Sequence, residues 1–294
     1  MSKLLVTGAS GQLGRSVIRH LLETEKVAPS DIVAASRDTA KLAELAAKGV
    51  EVRAADFDDP ASLEQAFAGI DRLLVISTDA LAVPGLRLKQ HKAAVDAAVK
   101  AGVGHIVYTS MPNPDKSLVS FAPDHFGTEA AIKASGLGYT IVRNAWYLDN
   151  YLHAMPHNLA SGQWFTAHGT GKVANISRED CARADAAALA RPGSENATYT
   201  VTGAESLTAD EIAAIVSSAA GKPLAVVQVT PEQLKQGIES AGMPDFVASM
   251  LASSEANVAA GNFDLVTGDF EKLTGAKPQS AADFFAAHKA TLLG

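Results

Sequence analysis

Three glycines stand three residues apart, at Gly8, Gly11 and Gly14, within Lys3-Leu4-Leu5-Val6-Thr7-Gly8-Ala9-Ser10-Gly11-Gln12-Leu13-Gly14. The chemistry such a set supports is the holding of a diphosphate. The first glycine permits a turn that a Cβ would obstruct. The second lets the main chain come close to a pyrophosphate, and the third lets a helix pack tightly on its strand. A helix opening directly after them offers unpaired N–H groups at the positive end of its dipole. The same residues also read as a tight β–α turn in a protein that binds no nucleotide.

Other candidates follow in the order in which a dinucleotide would meet them. Arg37 comes just after an apolar run, Ile32-Val33-Ala34-Ala35. A guanidinium there suits the 2′-phosphate of NADP, whereas an acid would suit the ribose hydroxyls of NAD. Asp38 is adjacent and argues the other way, and a solvated surface arginine is the bland reading. Asp56, with Phe57 beside it, ends a further apolar stretch. Asp56 is placed either to meet an adenine amino group or to serve as a helix-capping or turn residue, and Asp58 or Asp59 can cap the helix that follows. Ile76, Ser77 and Thr78 close another run, on the edge where ligands of parallel sheets bind. His125 is a candidate acid or cofactor contact because imidazole exchanges protons near neutrality, and it reads equally as a helix-surface histidine without a role. Asn144-Ala145-Trp146-Tyr147 begins an aromatic segment suited to a flat apolar ring; the alternative is a hydrophobic plug between two lobes. Tyr147 is the second candidate for a catalytic role. Cys181 reads as packing, since no base accompanies it.

These residues need elements to hold them. Leu4–Val6 reads as a buried strand, and Leu13, Val17, Ile18, Leu21 and Leu22 recur at helical spacing. Strands are expected over 31–36, 50–57, 71–78, 105–110 and 139–144, with helices from Pro60, over 86–101 and over 123–134. The continuous apolar run in 71–78 suits a parallel strand covered on both faces. Later, Ala197–Val201 and Leu224–Val229 read as short strands, Gly169-Thr170-Gly171-Lys172 as a turn, and Ser177, Thr208, Thr230, Pro244 and Ser280 as helix starts, the first two with a capping-box pattern. The fold class is therefore α/β: a Rossmann-type, doubly wound parallel sheet with a smaller, mostly helical C-terminal lobe. Residues 1–150 are expected to form the dinucleotide-binding domain and 151–294 the substrate-side lobe, with segments after 150 free to return to the sheet.

Composition narrows the classes. The 294 residues are 47% hydrophobic and 19% charged, with a net charge of −7. The acidic balance without a basic run argues against nucleic acid as a partner. No apolar stretch is long enough for a membrane span. One cysteine allows no internal disulfide, and the chain enters its first strand at once, so the expected compartment is the cytoplasm.

With Thr7-Gly8-Ala9-Ser10-Gly11-Gln12-Leu13-Gly14, Tyr108-Thr109-Ser110 and Arg143-Asn144-Ala145-Trp146-Tyr147 in view, the chain resembles the NmrA-like group of atypical short-chain dehydrogenase/reductases. Within that group it is similar to bacterial NADPH-dependent quinone oxidoreductases and to triphenylmethane reductase. The likeness runs over nearly the full length. Its glycine spacing is G-x-x-G-x-x-G rather than G-x-G-x-x-G, as in the extended and atypical members. It also departs from the conventional enzymes: Ser110 ends the fifth strand, but no Tyr-x-x-x-Lys follows, which disfavours reversible alcohol–ketone chemistry. The resemblance implies that Gly8 to Leu13, Arg37, Ile76 to Thr78 and Asn144 to Tyr147 contact NADPH.

The implied activity is hydride transfer from NADPH to a quinone or a similar electrophilic aromatic or conjugated compound, with water able to protonate the product. A triarylmethane dye or an ether is a further substrate option. The competing reading is a non-catalytic NmrA-like protein that senses NADP(H) and regulates a partner. The expected partners are a small aromatic acceptor and, as an open option, a second copy of the chain.

Overall fold

The computed structural model describes residues 2–193 and 195–294. Its opening follows the sequence closely. Strand β1 (Leu4–Val6) is buried throughout, and helix α1 (Gln12–Glu23) buries Gly14, Val17, Ile18 and Leu21 on one stripe. Next come β2 (Ile32–Ser36), the short α2 (Ala43–Ala47), β3 (Glu51–Ala54), α3 (Pro60–Phe67), β4 (Arg72–Val75) and α4 (Leu86–Lys100). The first half closes with β5 (His105–Ser110), α5 (Ala122–Ala134) and β6 (Gly138–Asn144).

Beyond residue 150 the described elements are α6 (Tyr151–Ser161), β7 (Gln163–Thr166), α7 (Arg178–Ala190), β8 (Ala197–Val201), α8 (Ala209–Ala220), β9 (Ala225–Gln228), α9 (Pro231–Ser240), α10 (Asp245–Ala259), α11 (Asp269–Thr274), α12 (Ala281–Ala287) and α13 (Lys289–Leu293). Among the described residues the main sheet has seven strands in the order β3-β2-β1-β4-β5-β6-β8, and every pairing is parallel. Order reverses between β1 and β4. That switch point opens a crevice above the strand ends, where ligands of such sheets bind.

Each face of the sheet is covered, which is why β1, β2, β4 and β5 are buried end to end. On one face Leu4, Val6, Ile32 and Leu74 pack with α1 and α7 residues such as Val17, Ile18, Cys181 and Leu189. On the other Leu5, Val33, Leu73 and Ile106 pack with Leu63, Phe67, Val95 and Ile132 of α3, α4 and α5. Both β8 and α7 follow residue 150, so the sheet layer draws on either side of that position. A third cluster, with Trp164, Ile212, Phe263, Phe284 and Phe285, holds the C-terminal lobe.

Several boundaries differ from the sequence reading. The third strand ends at Ala54 and the fourth at Val75, so Asp56, Phe57 and Ile76 to Thr78 lie in loops. For the fourth strand the reason is visible. The backbone N–H groups leave the ladder and bond to side chains: Ile76 to Thr7 Oγ1 (2.9 Å), Ser77 to Thr109 Oγ1 (2.9 Å) and Thr78 to His91 Nε2 (3.0 Å). The capping pattern at Ser177 is half made: its hydroxyl accepts from Asp180 N–H, but the Asp180 carboxylate accepts from Gln279 N–H instead of reaching back. Helix α6 and strand β7 have no counterpart in the sequence reading. Pro156 inside α6 obscures its pattern, and β7 is four residues long.

Candidate functional site

The glycine turn leads directly into the start of α1. Gly8 has φ +60°, a conformation that costs glycine nothing. Gly11 N–H donates to the Gly8 carbonyl at 2.9 Å, tightening the loop. A Cβ on Gly14 would lie 2.3 Å from that same carbonyl oxygen and 2.9 Å from Ala9 Cα, so the helix reaches its strand only with glycine there. Arg15 N–H makes the first helical bond, to Gly11 C=O (3.0 Å), and no side chain caps the helix. The preceding N–H groups of Gln12 to Gly14 are thus free to meet an anion. The loop is pinned at its sides: Ser10 Oγ lies 2.8 Å from Ser36 Oγ, Ala9 N–H donates to Ala35 C=O, and Arg178 holds the Gln12 side-chain oxygen. An uncapped helix start, held against its turn at a glycine that has no room for a Cβ, fits the pyrophosphate of a dinucleotide.

Around this cradle, Arg37 is exposed and forms no hydrogen bond or ion pair among the described residues. The neighbouring Asp38 is engaged locally: its carboxylate accepts from Ala40 N–H (3.1 Å) and lies 3.6 Å from Lys41 Nζ. Asp56 makes a turn contact, accepting from Asp58 N–H at 3.0 Å. Phe57 packs partly buried on the α3/α4 side of the sheet. Asp59, not Asp56 or Asp58, caps α3, accepting from Ala61 N–H.

Behind Ile76, Ser77 and Thr78 lies a buried chain of polar groups. Thr78 N–H donates to His91 Nε2, which leaves the His91 proton on Nδ1 and directed at Thr128 Oγ1 (2.9 Å). Tyr108 Oη stands 3.3 Å from that Nδ1 and 2.8 Å from Nδ1 of His125. Because His91 already presents an N–H, the phenol proton points to His125. Burial holds His91 down to about 3 and, with Arg87, keeps His125 well below its ordinary value. Both rings are neutral at pH 7. His125 is therefore no surface histidine: it is 3% exposed and sits on the inward stripe of α5 with Ala122, Thr128, Glu129 and Ile132. Ser110, at the end of β5, donates to the buried Glu129 carboxylate (2.7 Å), which Arg143 also grips through Nε (2.9 Å) and a second nitrogen (2.7 Å).

The aromatic segment begins where β6 ends. Asn144 is buried and its amide donates weakly to Asp185 (3.2 and 3.4 Å), while Asn144 Oδ1 has no partner among the described residues. Burial lifts Asp185 to about 8, opposed only by that amide. Ala145 is buried beside them. Tyr147 is half-buried, with the Arg178 guanidinium 5.3 Å from its ring centre, and burial raises its phenol well above the usual value. Trp146 stacks on Phe121 (6.2 Å, 11°) and touches Phe263 (5.7 Å).

Trp146 also lines a cavity of about 780 Å³ that sequence reasoning did not anticipate. Its walls come from α6, β7, α9 and α10, including Met155, Trp164, Leu234, Ile238 and Glu255. The volume lies toward the upper end of small-molecule sites, about 300–1,000 Å³. The Glu255 carboxylate, His168 and the Tyr151 phenol are buried titratable groups that line it, and no local motif announces Glu255 or His168. Among the described residues no cluster of histidine, cysteine or carboxylate side chains is arranged to hold a metal ion, and no helix is long and apolar enough to cross a membrane.

Comparison with known proteins places relatives along the whole chain. The model of the NmrA-like family matches residues 1–285. Quinone oxidoreductase 2 of Escherichia coli is 37% identical over 272 residues, 92% of this chain and 93% of that one. The NAD(P)H azoreductase of Xenophilus azovorans is 33% identical over 292 residues, 98% of both chains. Among solved structures, the E. coli NADPH-dependent quinone oxidoreductase in complex with NADPH superposes with a TM-score of 0.92 at 36% identity, covering 97% of this chain and 99% of that chain. The Citrobacter sp. triphenylmethane reductase in complex with NADP(H) gives 0.90 at 36% identity, covering 98% and 100%.

Proposed function

This chain belongs to the NmrA-like family, and on that premise we propose that it is an NADPH-dependent oxidoreductase that reduces quinones or similar electrophilic aromatic compounds. The observation that carries the reading is the uncapped start of α1 behind a turn in which Gly14 has no room for a side chain, set at the switch point of the sheet. Relatives of similar length are an E. coli quinone oxidoreductase and an azoreductase that uses NAD(P)H, which supports the same cofactor and reaction class here.

We assign the diphosphate to Gly8, Ala9, Ser10, Gly11, Gln12, Leu13 and Gly14, and the 2′-phosphate to Arg37, whose fork of donors is uncommitted. Asp56 and Phe57 border the adenine end. Ile76 to Thr78 and Asn144 to Tyr147 form the walls at the nicotinamide end. Residues 1–150, completed by α7 and β8, act as the dinucleotide-binding part. Bound NADPH supplies a hydride, two electrons with one proton, and a quinone so reduced takes one further proton from water to become a hydroquinone.

The protein's share is orientation and exclusion of water. Thr7, Thr109 and His91 fix the loop from Ile76 to Thr78 through its backbone N–H groups. Tyr108 and neutral His125 brace α5 against β5, and Ser110 is committed to Glu129, so none of them resembles the lysine-lowered tyrosine of alcohol dehydrogenases. Trp146 and Tyr147 present apolar faces to the acceptor's ring. We place the enzyme in the cytoplasm, because its one cysteine is buried and unpaired.

The test is a screen of purified protein with NADPH and NADH against several quinones and dyes. Oxidation of NADPH above the uncatalysed rate with a small benzoquinone is the expected result. Cofactor binding without turnover of any acceptor would support the regulatory reading instead.

A further inference from the structure

The 780 Å³ cavity is far larger than a single quinone ring requires, and its lining is mostly apolar, with Glu255 the one carboxylate among the described residues that line it. There α10 brings Glu255 against the end of β7. Oε2 of Glu255 accepts from Thr166 Oγ1 (2.9 Å) and from Ala167 N–H (2.5 Å). Oε1 makes no hydrogen bond among the described residues. The nearest cationic candidate, His168 Nε2, is 4.0 Å away. Burial lowers His168 to about 4, so that ring is neutral and supplies no counter-charge. The Glu255 side chain is 19% exposed, and what it faces is the cavity.

A carboxylate with one oxygen satisfied and the other without a hydrogen-bond partner, at the wall of a mostly apolar space, is an incomplete arrangement. Desolvated charge is costly unless paired. Burial accordingly raises Glu255 to about 7, against the pull of the Ala167 N–H and the Thr166 hydroxyl. A ligand can complete it only by bringing a proton donor, and best by bringing a positive charge, because charge-assisted hydrogen bonds are the stronger class. Mostly hydrophobic walls with a few placed polar groups are also how small-molecule sites fix orientation.

We propose that Glu255 is a specificity residue, and that this cavity takes aromatic acceptors carrying a basic amine, whose N–H bonds to Glu255 Oε1 while the apolar body fills the space toward Trp146. The assignment of a substrate to this cavity rests on the reductase reading above; the preference for an amine rests on Glu255 alone.

Both tryptophans of the chain, Trp146 and Trp164, line the cavity, so their fluorescence reports its occupancy without turnover. The experiment uses full-length wild type and Glu255→Gln, which keeps an acceptor for Ala167 N–H. One arm titrates a naphthylalkyl-dimethylamine and its uncharged isosteric hydrocarbon by tryptophan quenching. The other compares kcat/KM for a naphthoquinone bearing a dimethylaminopropyl arm with one bearing the isosteric 4-methylpentyl arm. Wild type should favour the amine by about tenfold or more in each arm, and Glu255→Gln should bring the ratio near one whatever it does to the absolute rates. An equal response of wild type to amine and hydrocarbon overturns the proposal, and so does a preference that survives Glu255→Gln. If the variant fails to fold, the wild-type ratio still decides. Amine-selective binding without turnover of either quinone would sink the reductase reading and leave Glu255 as an anchor. Turnover without selectivity would do the reverse.

Discussion

Gly14→Ala asks the most of the cradle for the least change in chemistry. The new Cβ would sit 2.3 Å from Gly8 O and 2.9 Å from Ala9 Cα. These are backbone atoms, so no rotamer change relieves the overlap; α1 and the turn must separate by about 1 Å to restore ordinary contact. Overpacking of this kind costs roughly 1–3 kcal/mol. Ala regains about 0.5–1 kcal/mol over Gly inside a helix, which leaves a net loss of roughly 0–2.5 kcal/mol in stability. The larger effect is on the ligand, because the N–H groups of Gln12 to Gly14 retreat from the phosphate. Losing about 1.5–3 kcal/mol of charge-assisted bonding corresponds to roughly ten- to hundredfold weaker NADPH. Gly11→Ala is the matched control. Gly11 has φ −77°, and its Cβ would meet Gly8 O at 3.3 Å, so the free protein should tolerate it. Thermal melts and NADPH titrations of the two variants give the readout. A Gly14→Ala protein with wild-type melting temperature and NADPH affinity within about threefold of wild type would refute the reasoning.

Arg37→Ala should weaken NADPH about ten- to hundredfold and NADH hardly at all, since only NADPH carries the 2′-phosphate; equal losses in the two titrations would remove Arg37 from that role. Tyr147→Ala should lower kcat/KM for quinones more than it changes NADPH affinity, and unchanged kinetics would make the segment structural. Asp185 carries a pH signature. Its folded value of about 8 stands above the unfolded value near 3.9, so the folded state holds the extra proton between those limits. Stability from this group is full below about pH 4 and lost as pH rises toward about 8, by up to ~1.4 kcal/mol per pH unit. Asp185→Asn should therefore gain on wild type steadily as pH rises, and parallel denaturation midpoints across that range would contradict the assignment.

The parts of this molecule legible in sequence are those whose signals are local. Leu4–Val6, the three glycines and the stripe of α1 sit within twenty residues, and each residue's type agrees with its place. The same holds for β5, for the capping box at Thr208 and for the helix start at Thr230. His125 was ambiguous because its type and its position disagree. The spacing Ala122, His125, Glu129, Ile132 marks a buried stripe, yet two of its members are polar. They are buried because Tyr108 and Arg143, from neighbouring strands, satisfy them. Three acids at Asp56, Asp58 and Asp59 are equivalent as text, and only the turn geometry gives the helix cap to Asp59. The cavity was out of reach altogether: Glu255 meets Thr166 across 89 residues of chain, and no spacing rule spans that distance.

A calorimetric titration of NADPH into the purified chain tests the central claim most directly. The account predicts a saturable complex with one NADPH per chain, displaced by NADP⁺, tighter than that with NADH and lost or weakened in Gly14→Ala. Absence of any complex with either pyridine nucleotide would contradict it, because the turn before α1 would then be a β–α connection and nothing more.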